Sequence, residues 1–380
     1  MTNSTVDAIA KAILYEGYLL YPYRGSAVKN QRRWTFGGVY PRAYSETQSG
    51  NDRWVSQTQC LVEGTDATRL DVSVRFLHLV ERGVAELEPH ARELTSEAEC
   101  ELRPVQTLRV DGTLHRGWQE AVERTVSVPT ATLGELAAVA VTSPIAIEAG
   151  RTLEPVRTQS GDIAGAITRS WATIAGAVEL SAEPAEPGAF RVTLRVTNTT
   201  PLDDPDDPSD REDERGAASP RRASSAGRSR ATPRDPSDRD VALPHTLAST
   251  HALFTVQGGA FVSLTDPPEP FRRLAATCAN QGVWPVLVGE DGSRDTLLAS
   301  PIILEDYPRV AQESPGDLFD SAEIDEILSL RILTLTDAEK AEIVDERARQ
   351  VLERTEALDA EQLMKLHGTM RNMRVDTGDD

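Results

Sequence analysis

Apolar positions change period twice along this chain of 380 residues. Near the start, Val6, Ile9, Ala10, Ile13 and Leu14 fall on one helical face, Ser4 and Asp7 approximate a capping box, and Gly17 ends the run, so a helix is predicted there. From Trp54 the period becomes two, over 54–64, 69–80 and 119–128, each bounded by Gly, Asp or Pro. In the second of these, Val72, Val74, Phe76, His78 and Val80 share one face while Asp71, Ser73 and Arg75 begin the other, which predicts a strand with one apolar side. Further strand-like runs are 145–147, 168–181, 190–198, 250–256 and 260–264, and Gly258-Gly259 between the last two reads as a hairpin turn.

The helical period returns at the C-terminus. Asp320 and Glu323 form a capping box flanked by the pair Phe319 and Ile324; Thr336 and Glu339 form a second; Asp359 and Gln362, with Leu358 and Leu363, form a third. Helices follow over about 321–333, 337–356 and 360–367, the last closed by Gly368, and Ile343, Val344, Val351 and Leu352 give the middle one a buried stripe. No internal repeat is evident. Strands in the middle and helices at the ends, without alternating βαβ units, predict an α+β fold: a mainly antiparallel, sandwich-like β middle with an N-terminal helix and C-terminal helices.

Residues 201–240 are different in kind. They hold six prolines and nineteen charges and, apart from Leu202, nothing larger than alanine to bury, so they cannot offset their ordering entropy. The segment reads as a solvated, disordered insertion between strands of one sheet system; the rival reading is a regulated or nucleic-acid-binding tether. The predicted organisation is therefore 1–200, the first helix and first part of a β domain; 201–240, the insertion; 241–310, the remaining strands of the same domain; 311–373, the C-terminal helical segment; and 374–380, a disordered tail.

The formal net charge of -20 repels polyanions and argues against nucleic acid as a partner except through a local patch. Arginine outnumbers lysine 36 to 4, which reads as genomic composition bias and not as a nucleic-acid signal. No run approaches the roughly eighteen apolar residues of a membrane span. Asp7, Lys11 and Glu16 interrupt the stretch where a signal peptide needs apolar residues, so a cytoplasmic location is expected. Cys60, Cys100 and Cys278 are odd in number and widely spaced, which argues against a disulfide framework.

The common catalytic signatures are missing from the sequence: no G-x-S-x-G, no G-x-x-x-x-G-K-[ST], no H-E-x-x-H and no closely paired cysteines. No catalytic residue is assigned, and no cofactor is specified. His78, on the apolar face of a strand, is read as a core histidine bonded to backbone; His245 and His251, flanking a strand start, are read as solvent-facing. Residues 305–326 carry eight acids and one arginine, which fits capping acids on a solvated face, a cation site with His78 or Cys278, or a surface for basic groups.

One segment inverts the overall charge. Residues 17–45 contain no acid but carry Arg24, Lys29, Arg32, Arg33 and Arg42, and from Tyr15 to Trp54 lie nine of the chain's nineteen aromatics. Guanidinium planes stack on rings and fork onto carboxylates, which makes the segment a recognition candidate. Tyr21, Tyr23, Arg24, Arg32, Arg33, Trp34 and Tyr40 are the expected partner-binding residues, because aromatics and arginine dominate binding hot spots. The competing expectation is an internal clasp with the acids of 305–326.

Three stretches carry a resemblance: ILYEGYLLYPYR with KNQRRWTFGGVYP at 13–41, WPVLVGEDGSRDTLLASPIILEDYP at 284–308, and ESPGDLFDSAEIDEILSLRILTLTDAEK at 313–340. They resemble an uncharacterised actinobacterial protein family encoded beside high-affinity nickel-iron hydrogenases and their maturation factors. The resemblance implies a role in hydrogenase assembly, maturation or electron-transfer organisation, and the first expectation is a non-enzymatic accessory or assembly protein with hydrogenase subunits or maturation factors as partners. The alternative it leaves open is a metal-handling maturation factor, for nickel or another cation, or a metal-dependent enzyme using 305–326.

Overall fold

The structure, a computed structural model, describes residues 37–308 apart from 49, 51, 96–98, 100, 187 and 203–238. The expected N-terminal helix, the three C-terminal helices, the 374–380 tail and most of the 201–240 insertion lie outside the described residues. The chain divides into two compact units. One comprises Gly37–Leu287 and Arg294–Ile303; the other includes, among the described residues, Val288–Ser293 and Leu304–Pro308, where the Tyr307 hydroxyl donates to the Ser293 carbonyl at 2.9 Å.

The described fold is mainly antiparallel β with short helices, as the period-two runs predict. The strands are β1 (Val55–Glu63), β2 (Arg69–Ala91), β3 (Arg103–Val105), β4 (Thr107–Val110), β5 (Thr113–Arg116), β6 (Trp118–Thr132), β7 (Val141–Ile147), β8 (Gly150–Arg157), β9 (Ile163–Trp171), β10 (Ile174–Glu186), β11 (Ala189–Asn198), β12 (Ala248–Gln257), β13 (Ala260–Val262), β14 (Trp284–Leu287) and β15 (Thr296–Ser300). The helices are α1 (Arg42–Thr47), α2 (Leu133–Ala138), α3 (Arg239–Ala242) and α4 (Arg272–Ala275).

A five-stranded sheet runs β13-β1-β11-β10-β7. Its register sets Cys60, Val192 and Ala182 side by side on the inner face, with Thr58, Leu194 and Leu180 in the next row. Arg191, Arg195 and Gln57 turn outward, where Arg191 pairs with Glu183 and Arg195 donates to Gln57. This alternation is what makes each strand legible as period two.

The larger sheet runs β14-β15-β12-β2-β9-β8, with β3 and β6 also pairing β2. β2 is its spine. One edge is taken first by β12 and then by β9, the other by β6 and then β3. Val72, Phe254 and Leu297 align across β2, β12 and β15 as a buried row. Phe254 meets Phe261 of β13 edge-on, ring centroids 6.4 Å apart, so the inner faces of the two sheets touch in a sandwich-like core. The hairpin β4-β5 covers the far end of β2, burying Leu108 and Val110 against Val84, Val156 and Ile167.

Two sequence expectations fail at sheet crossovers. Gly258-Gly259 is no hairpin: β13 pairs with β1, not with β12, so the chain passes here from the larger sheet to the smaller. Gly258 takes φ +75, and the added Cβ of any other residue at 259 would stand 2.6 Å from the Glu63 carbonyl. Likewise 168–181 is two strands, β9 in one sheet and β10 in the other, separated at Ala172-Thr173. Period-two patterning continues through a crossover because both flanking strands are half-buried, which hides the break.

Candidate functional site

The described end of the acid-free segment divides into an inward and an outward part. Tyr40, expected to contact a partner, is only 2% exposed and packs with Tyr44, Leu79, Ala242 and Leu243. Its ring is part of the core and is closed to a partner. Tyr44 donates to Asp52 at 2.9 Å, Arg239 donates to the Tyr40 hydroxyl at 2.6 Å, and the Arg239 guanidinium stands 3.6 Å from the same Asp52 carboxylate. Burial, followed by the bond to Asp52, pushes the Tyr44 phenol well above its ordinary range. This is a clasp, and its acid is Asp52. Leu202 packs on the same cluster, so the residues on either side of 203–238 meet at one point.

Turned outward beside this clasp, Arg42 lies over the Trp54 ring at 4.7 Å and pairs with Glu46 at 2.7 Å, its side chain 56% exposed. Gly37-Gly38 approaches the fold and not a ligand: with φ +58, a Cβ at Gly37 would overlap Pro301, and one at Gly38 would press on the Tyr40 ring. Tyr21, Tyr23, Arg24, Arg32, Arg33 and Trp34 lie outside the described residues, as does the acidic stretch beyond Pro308.

His78 is fully buried on the inner face of β2, as its strand position implies. Neither ring nitrogen has a hydrogen-bond partner among the described residues; the Ala172 backbone is close enough to favour the charged form slightly but not in bonding geometry. Burial, reinforced by the Arg124 charge, lowers its pKa to about 4.

The expectation that His245 and His251 face solvent is wrong. They are 8% and 1% exposed. His251 sits opposite Arg75 in the central β12-β2 pair, covered on both sides, and His245 is fixed through Nδ1 to the Thr173 carbonyl at 2.9 Å. The Nδ1 of His251 is 3.1 Å from the Ser249 carbonyl, and burial lowers its pKa to about 4. Cys278 packs beside Leu61, Val262 and Ala275, half-buried, with burial raising its thiol pKa against the pull of Arg191. Among the described residues no group of three His, Cys, Asp or Glu is placed to hold a metal ion.

One constellation of charged groups among the described residues was not foreseen from the sequence. Across β6, β2, β9 and β8, Arg82 stacks on Trp118 and stands 3.4 Å from Glu120; Glu120 also takes a bond from Arg169 at 2.8 Å, and Arg169 reaches Glu154 at 2.7 Å. His115 lies beside it, its pKa lowered by burial and then by Arg82. The bond from Arg169 holds the Glu154 carboxyl below its ordinary value. Two cations meet two carboxylates, so the ladder is closed on charge and acts as a seam between four strands. The available signal was parity: Arg82 falls on the face of Val72 through Val80, where a charge needs a partner.

Compared with known proteins, the chain matches no family model, no curated protein and no solved structure.

Proposed function

We propose that this chain is a non-enzymatic accessory protein of a nickel-iron hydrogenase system, acting in the cytoplasm by docking onto hydrogenase subunits or maturation factors. The observation that carries the docking part is the outward stack of Arg42 on Trp54 at the end of an acid-free, arginine- and tyrosine-rich segment. Exposed guanidinium-ring pairs of this kind offer a flat, pre-organised surface that fits aromatic or carboxylate groups of a partner. Tyr40 and Tyr44, packed inward, anchor that end of the segment to the β scaffold. The contact residues of the proposal are therefore Tyr21, Tyr23, Arg24, Arg32, Arg33 and Trp34, continued by Arg42 and Trp54. The identity of the partner rests on the resemblance of residues 13–41, 284–308 and 313–340. No helix of the described residues is long and apolar enough to cross a membrane.

The test is co-purification from cells producing the hydrogenase, with the full chain tagged. Replacing Arg32, Arg33 and Trp34 together by alanine is expected to abolish recovery of hydrogenase subunits while leaving the melting temperature nearly unchanged. Undiminished recovery, or a collapsed fold in the variant, overturns the proposal.

A further inference from the structure

We draw no further inference here: the strongest candidate, the buried cluster of His78 and Arg124 beside the Ala172 backbone where the chain passes from β9 to β10, carries none, because the imidazole is 0% exposed and leaves a ligand no room to reach its nitrogens, and its titration belongs to the stability of the fold.

Discussion

Arg82 places its guanidinium carbon 3.5 Å from the ring centroid of Trp118, its direct cross-strand partner between β2 and β6. The stack explains how a cation that is only 7% exposed survives on an apolar strand face: the ring covers one side, Glu120 approaches Nε, and the Arg116 carbonyl accepts from Nη1 at 3.1 Å. Removing the side chain leaves Glu120 with Arg169 alone and opens a void over Trp118. Arg82→Ala is therefore expected to cost about 3 kcal/mol in urea unfolding. Arg82→Lys, which keeps the charge but loses the flat face and the fork, is expected to cost roughly half of that.

The clasp at Asp52 gives a second expectation. Tyr44 and Arg239 both address the same carboxylate oxygen, one by hydrogen bond and one by charge. Tyr44→Phe removes a single half-buried bond and is expected to cost about 1 kcal/mol. Because Arg239 still faces Asp52 in that variant, the costs of Tyr44→Phe and Arg239→Ala are not expected to add. A double-mutant cycle read by chemical denaturation should show a coupling of at least about 0.5 kcal/mol, and strict additivity would sink the assignment of Asp52 as the shared partner.

Much of this fold is legible in the residues, and the failures have physical causes. Period two marks β1, β11 and the first part of β2 because buried positions there alternate with more exposed ones. β2 runs on to Ala91, beyond Val80, because Arg82 and Gly83 read as the end of an apolar strand while the ladder and the β4-β5 hairpin let it continue. Two local signals were present and missed. Asp111-Gly112, both at positive φ, closes the β4-β5 hairpin, and Thr132 with Glu135 forms a reciprocal capping box at the start of α2. Partner choice was not legible at all. That Tyr40 would find Arg239, across a separation of 199 residues, depends on where the chain re-enters after residue 238, and no local pattern encodes that.

Gly37 offers a test of the anchoring of the N-terminal segment. It lies at φ +58, its carbonyl accepts from the Thr250 amide at 3.1 Å, and a Cβ there would fall 2.2 Å from that of Pro301. Backbone strain and overlap act together, so Gly37→Ala is expected to destabilise by about 2 kcal/mol or more. The loss should show as a lower melting temperature. Gly112→Ala, at positive φ but with nothing within 4 Å of its Cβ, is expected to show the strain without the overlap and to lose less.

Acid should find the buried histidines first. His78 and His251 are held neutral, each with a pKa lowered to about 4 by burial, against an ordinary value of 6.5. Between those values the unfolded chain binds a proton at each site that the folded chain does not, so stability rises with pH through this window and falls as pH is lowered. Above pH 6.5 both states are neutral at these sites and the slope disappears. The full loss from pH 6.5 to 4 is on the order of 3 kcal/mol for each ring, if each charges independently. His78 has the clearer test, because neither of its nitrogens has a hydrogen-bond partner among the described residues, so an apolar replacement breaks no bond there. His78→Leu is expected to be close to neutral at pH 7.5 and to remove about half of the acid-induced loss seen in urea unfolding between pH 6.5 and 4. An unchanged pH slope in that variant would place the acid sensitivity elsewhere.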